Sequence, residues 1–291
     1  MPEPDSHLVG EADVETFDRD EVICLRGLFD ARWVSRIRAA MDRVIANPSA
    51  EGKLLNPDGT PGRFERDLFM WMRDDDFRAL VYDSPLGEIA AACMRSQRIT
   101  FIVDMMLTKE PNTPWPTPWH HDLPYGWYDG EQVCGLWLSL DHTTEDSGAV
   151  DWVRGSHKWG SWYAAQPFEG GAYEVPDGLE RMPDIDADRS SYDIANYETE
   201  PGDCIVNHLL TVHSAPGNST ERRRRAVIFR LAGDDATYAE RGPGRPKPFS
   251  DPGLAPGDPF PLDHDQFPTI WPKRDVPRVA ASRIDLQSAA H

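Results

Sequence analysis

With 291 residues, 49 acidic against 30 basic side chains and 40% apolar residues, the chain has a formal charge of −19 and enough apolar material for a full core. A folded chain of this size hides about three-quarters of its unfolded surface, which excludes wholesale disorder and fits one large domain or two small ones. The charge repels phosphate backbones and anionic bilayers, and the only dense basic run is Arg222-Arg223-Arg224-Arg225. Neither a nucleic acid nor a membrane is therefore an expected partner.

The opening Met1-Pro2-Glu3-Pro4-Asp5 has no basic or apolar targeting segment, and residues 1–12 read as a loose polar tail. Residues 20–25 read as a short strand. A helix follows, because Trp33, Val34, Ile37, Met41, Val44 and Ile45 recur at the spacing of one helical face, with Asp30 placed to cap it and Asn47-Pro48 to stop it. Residues 49–63 read as a loop. A second helical stretch covers about 76–95, split at Ser84-Pro85, which suits a helix start better than a helix interior.

From residue 98 the pattern changes to β. Ile99–Leu107 and Val133–Leu140 read as strands, the second too apolar for a wet face, with the proline-rich loop Pro111–Pro118 between them. Residues 164–197 form a long acidic connection, and Cys204–Leu210 and Arg225–Leu231 are two further strands. The Pro/Gly-rich segment 240–291 reads as irregular, wrapped on the surface. Cys24, Cys93, Cys134 and Cys204 are widely spaced among apolar neighbours, so buried free thiols and a cytoplasmic, reducing location are expected. Helices first (20–95), strands later (98–231) and no nucleotide-binding glycine motif predict an α+β fold whose β part is a barrel or sandwich.

The densest chemical cluster is Trp119-His120-His121-Asp122. In an extended segment His120 and Asp122 point to one side and His121 to the other, so an imidazole and a carboxylate can meet on one divalent metal. Adding His213, at the end of an apolar strand and before the turn-forming Ser214–Ser219, completes a two-histidine, one-carboxylate set that leaves open positions on Fe(II). A hairpin at that turn would bring the next strand back alongside, with Arg224 and Arg225 near its start. An arginine beside such a metal suits a keto acid, because its planar fork holds a carboxylate in two parallel hydrogen bonds. His208 is the rival third ligand. By apolar pattern alone Arg225 faces inward, since it shares a face with Val227, Phe229 and Leu231.

The chain resembles the phytanoyl-CoA dioxygenase family of Fe(II)/2-oxoglutarate oxygenases, on an ordered set of motifs spanning about 100–231. These are His120-His121-Asp122, the tryptophan-bearing strand Gly135–Leu140, Ser147-Gly148 before Gly155-Ser156-His157-Lys158, Pro201-Gly202-Asp203 before the strand leading to His213, then Asn218 and Arg224. The resemblance implies a single oxygenase domain over 1–291, built on a double-stranded β-helix, a jelly-roll barrel with flanking helices. It implies Fe(II), 2-oxoglutarate and O2 as cofactor and cosubstrates, with His120, Asp122 and His213 as ligands. Arg224, rather than Arg225, takes the distal carboxylate.

Thr108, Lys109 and Ser214 are further candidate contacts to 2-oxoglutarate; Ser214 follows the distal histidine where many relatives carry Gly-Ser. Asn218 is expected to hold the loop after His213, and Trp119, Tyr125, Trp127 and Tyr128 to supply packing and part of a pocket wall. The presence of Asp122 sets the chain apart from halogenating relatives, which lack that carboxylate. The implied reaction is hydroxylation of an unactivated C–H bond in a small-molecule metabolite, with release of succinate and CO2. The same centre is compatible with desaturation, cyclisation or epimerisation, and the barrel with a non-catalytic or other cupin-type metal-binding role. The acidic surface favours a neutral or cationic metabolite. No sequence feature points to an oligomeric state.

Overall fold

The computed structural model describes residues 8–241, 251–262 and 264–273. Its helices are α1 (Glu11–Asp20), α2 (Ala31–Ala46), α3 (Asp75–Asp83) and α4 (Leu86–Cys93). The strands run β1 (Val22–Leu25), β2 (Lys53–Leu54), β3 (Phe64–Leu68), β4 (Ile99–Lys109), β5 (Thr117–His120), β6 (Tyr128–Asp129) and β7 (Val133–Ser139). They continue with β8 (Asp151–Val153), β9 (Ile194–Asn196), β10 (Cys204–His208), β11 (His213–Ala215), β12 (Arg224–Ala232), β13 (Thr237–Tyr238) and β14 (Thr269–Trp271).

α2 forms where its apolar residues share one face, and Val34, Ile37, Met41 and Val44 are buried. The Asp30 carboxylate accepts from the Trp33 N–H at 2.9 Å, satisfying one of the free amides of the first turn. α3 and α4 are separate because Ser84-Pro85 interrupts them. α1 begins inside the stretch read as a tail: only Val14 and Phe17 bury, too short an apolar repeat to announce a helix.

The large sheet runs β1-β10-β7-β12-β4-β3-β2, with β14 also paired to β4; the smaller sheet runs β5-β11-β8-β9. Both are antiparallel throughout. On β12 the period-two alternation splits the strand. Val227, Phe229 and Leu231 pack towards the helices, while Ala226 and Ile228 pack with Trp152 and Ala215 of the smaller sheet. The two facing sheets form a double-stranded β-helix with helices on its outer face.

Several local expectations change. The loop 49–63 contains β2, and the acidic connection 164–197 contains β9. Residues 251–259 are irregular and mostly exposed, as expected, but Phe260, Phe267 and Ile270 are buried and β14 pairs with β4. Of the segment 240–291 expected to be irregular, 242–250, 263 and 274–291 lie outside the described residues. The expected hairpin after His213 is absent. β10 ends at His208, the chain crosses into the smaller sheet as β11, and β7 separates β10 from β12. A jelly roll sends successive strands to opposite sheets, which a reading of one continuous strand misses.

The Pro201-Gly202-Asp203 motif is a structural joint. Gly202 has φ 97°, and a Cβ there would lie 2.1 Å from the Phe29 carbonyl oxygen. Asp203 then accepts from the Gly27 N–H (2.8 Å), the Glu200 N–H (2.9 Å) and Arg26 (2.8 Å), tying the start of β10 to the turn between β1 and α2. Gly202→Ala combines a left-handed backbone with a backbone clash and is expected to cost about 2–3 kcal/mol in urea unfolding. A wild-type midpoint would contradict this account.

On β4, Asp104 is fully buried, its Oδ2 accepting from the Trp71 N–H (2.9 Å) while Oδ1 has no partner. Burial pushes its carboxyl up to about 7. The unfolded chain ionises first, so this group erodes stability as pH rises from about 4 to about 7, at up to about 1.4 kcal/mol per unit. Asp104→Asn is expected to flatten that part of the stability–pH curve, and an unchanged slope would contradict the assignment.

Candidate metal centre and active site

Two adjacent strands of the smaller sheet build the centre. His120 ends β5 and His213 opens β11, and the two are cross-strand partners. Trp152 of β8 lies on the other side of His213, its ring stacked at 4.5 Å between centroids. Asp122 follows β5, fixed by its N–H to the Leu209 carbonyl at 2.8 Å. Its Oδ1 lies 3.7 Å from His120 Nε2 and its Oδ2 3.7 Å from His213 Nε2. One ligand atom from each residue falls within 4.8 Å of the others, all three residues being buried.

The backbone decides which imidazole nitrogen is offered. His120 Nδ1 faces the Pro118 carbonyl at 2.8 Å and His213 Nδ1 the Thr211 carbonyl at 2.9 Å. A carbonyl only accepts, so each Nδ1 carries the proton and each Nε2 lone pair points to the common centre, as a metal ligand requires. Burial, then the neighbouring His213, lowers His120 to about 3, and burial also lowers His213, so both rings stay neutral. Burial opposes a charged Asp122, but the Arg230 guanidinium, bonded to its Oδ1 at 2.7 Å, holds its carboxyl below the usual range. Two neutral imidazoles and an ionised carboxylate fit a divalent ion.

The triad opens into a cavity of about 400 Å³ between the sheets. Its walls include Tyr125, Trp127, Tyr128, Met105 and Phe168, the last edge-on to His120 at 4.7 Å. Arg224 also borders it and is buried; Nη2 donates to the Gly148 carbonyl at 2.6 Å, while Nε and Nη1 have no partner. Burial lowers its pKa to about 10, still fully charged at neutral pH. An unsatisfied guanidinium in a cavity fits a ligand carboxylate.

The remaining motif residues hold this arrangement in place. Asn218 donates to the carbonyls of Lys109, Glu110 and Arg222, fixing the loop between His213 and Arg224. Ser156 donates to the Val153 carbonyl and accepts from the Val212 N–H, anchoring the segment before His213. His121 points away and accepts from the Tyr163 N–H at 3.0 Å.

Ser214 borders the cavity, but Thr108 and Lys109 do not. Thr108 lies on the face of β4 opposite Met105 and Leu107. Lys109 instead donates to the Pro216 carbonyl at 2.6 Å and packs over Phe64. His208 is bonded to the Glu131 carbonyl and the Leu210 N–H outside the cavity, separated from His213 by the crossover and not by strand parity. Arg225 faces away and pairs with Asp141 and Asp42. Trp119 packs in a separate cluster with Val153 and Tyr163.

Arg230, Arg66 of β3 and Phe168 are among the cavity residues for which the sequence analysis gives no such role. Arg230 had a readable signal, since it shares the alternate face of Arg224, Ala226 and Ile228. Arg66 and Phe168 had none, because their placement depends on how β3 and the acidic connection fold over the barrel.

A jelly roll with a buried two-histidine, one-carboxylate triad and a facing arginine defines the class of cupin-fold metal proteins. Within it, the chain belongs to the phytanoyl-CoA dioxygenase (PhyH) family, whose family model matches residues 17–226. It is 30% identical over 136 residues to a probable phytanoyl-CoA dioxygenase of Caenorhabditis elegans, covering 45% of this chain and 42% of that one. The chain thus matches less than half the length of that relative. Its fold is similar to the epimerase SnoN, solved with Fe3+, α-ketoglutarate and nogalamycin RO (TM-score 0.70, 22% identity, 88% of this chain and 96% of that chain). It is also similar to the α-ketoglutarate-dependent carbocyclase SnoK (TM-score 0.70, 20% identity, 91% and 98%).

In an anaerobic Co(II) titration, His120→Ala, Asp122→Ala and His213→Ala are each expected to weaken binding at least about a hundredfold, and His208→Ala to leave it unchanged. Wild-type affinity in the triad variants, or equal loss in His208→Ala, would remove the centre from this position.

Proposed function

We propose that the chain is an Fe(II)/2-oxoglutarate-dependent dioxygenase that hydroxylates an unactivated C–H bond of a small molecule, releasing succinate and CO2. The observation that carries the reading is the convergence of two Nε2 lone pairs and a carboxylate in the same buried cavity as Arg224, whose Nε and Nη1 are unsatisfied. His120, Asp122 and His213 would hold the iron, and Arg224 would take the distal carboxylate of 2-oxoglutarate. Iron, the keto acid and O2 together supply the oxidising power. The chain binds and orients the reactants, and its aromatic walls exclude water from them.

The walls favour a substrate with an apolar or ring-bearing face. Arg66 and Lys53 also border the cavity, so its local charge is less hostile to an anionic group than the −19 of the whole chain. Asp122 leaves no vacancy for a halide, which disfavours halogenation. Epimerisation or ring closure on the same centre is the second reading, favoured by the fold likeness to SnoN and SnoK; substrate pose over the metal decides between outcomes. We take the chain as one oxygenase domain, because strands from Val22 to Trp271 share one sheet. The four free cysteines, three of them buried, fit a reducing cytoplasm. Among the described residues no helix is long and apolar enough to cross a membrane.

Anaerobic addition of Fe(II) and 2-oxoglutarate to the apoprotein is expected to raise a visible charge-transfer band with one equivalent of each. Arg224→Met is expected to weaken the keto acid about 10–100-fold, the value of charge-assisted hydrogen bonds to a carboxylate, without changing iron affinity. Arg225→Met should leave both unchanged. Absence of the band with iron bound would overturn the keto-acid reading.

A further inference from the structure

Arg230 is the last cavity-facing residue of β12, and its guanidinium crosses over Gly135, its partner on β7. A Cβ at Gly135 would lie 3.2 Å from Arg230 Nη1 and 2.6 Å from Asn207 Oδ1, so the glycine leaves the path open. The side chain ends on Asp122 Oδ1 at 2.7 Å, with both side chains about nine-tenths buried. Asp122 meanwhile presents Oδ1 to His120 and Oδ2 to His213 at equal distances of 3.7 Å.

A carboxylate centred in this way can ligate a metal through one oxygen or both. The difference matters for six-coordinate iron. Two imidazoles, one carboxylate oxygen and a chelating keto acid leave one position open; a second carboxylate oxygen would fill it.

We propose that Arg230 is a positioning residue that engages Asp122 Oδ1 and restricts the carboxylate to ligation through Oδ2, keeping the sixth position free. The charge-assisted bond fixes the carboxylate plane and draws electron density from Oδ1. This rests on the iron and 2-oxoglutarate reading above. It gives Arg230 a part separate from that of Arg224, although the two share one strand face.

The test uses the Fe(II)·2-oxoglutarate protein, with nitric oxide as a probe of the open position read by the EPR signal of the iron–nitrosyl. Arg230→Met is expected to form the charge-transfer band yet bind nitric oxide at least about tenfold more weakly than wild type. Arg230→Lys should recover most of that loss by restoring a cation at Oδ1. Arg230→Gln, too short and uncharged to engage Oδ1 in this way, should show the same weakening; it carries the test should Arg230→Met not fold. Wild-type nitric oxide affinity in Arg230→Met or in Arg230→Gln overturns the proposal. Failure of the wild-type protein to form the band instead overturns the underlying reading.

Discussion

The pairing of β5 with β11 is the contact on which the site depends. It sets His120 directly across from His213, and the Leu209 carbonyl then fixes Asp122 in the gap. Ionisable groups collected inside an apolar barrel are costly unless each spare polar atom is occupied. Here both Nδ1 atoms are tied to backbone carbonyls, Asp122 Oδ1 to Arg230, and one end of Arg224 to Gly148. What remains unsatisfied points to the cavity, so the same hydrogen bonds that make the burial tolerable also define the ligand positions.

The scaffold around this pairing consists of joints between distant segments. Gly202 and Asp203 attach β10 to the β1–α2 turn, Ser156 attaches β8 to the segment before His213, and Asn218 ties the loop after it to β4. Each is a small or polar residue doing what a larger apolar one cannot: admitting a close backbone approach, or satisfying several backbone groups at once. Their part in the chemistry is indirect. Asn218 alone of these links the two sheets, tying the loop between β11 and β12 to β4; the others brace segments beside one sheet.

Much of this was legible in the sequence where a local physical signal exists. α2 was readable from its apolar spacing and the Asp30 cap, the α3–α4 break from Ser84-Pro85, and the jelly roll from the order of motifs. His120, Asp122 and His213 were named from residue chemistry and spacing, and the structure brings them together. Arg224 against Arg225 shows where local pattern misleads: the face of β12 towards the helices is apolar, and the cavity face is the one that carries charge. Thr108 and Lys109 close β4 just before the metal motif, but strand parity turns Thr108 to the other face and Lys109 donates to the Pro216 carbonyl, so neither borders the cavity. β9, β14 and the cavity role of Phe168 arise from long-range packing of segments with no strong periodicity, so no local window announced them.

Fold and site together describe a barrel in which the His120, Asp122 and His213 cluster and a part-unsatisfied Arg224 share one aromatic-walled cavity. The most direct test of oxygenase activity is turnover of 2-oxoglutarate by the iron-loaded protein under 18O2, with mass analysis of the product. The account predicts succinate carrying one 18O atom in its new carboxylate, formed slowly without substrate and faster with it. Absence of succinate from iron-loaded protein that binds 2-oxoglutarate, or succinate free of label under conditions that prevent exchange with water, would contradict it.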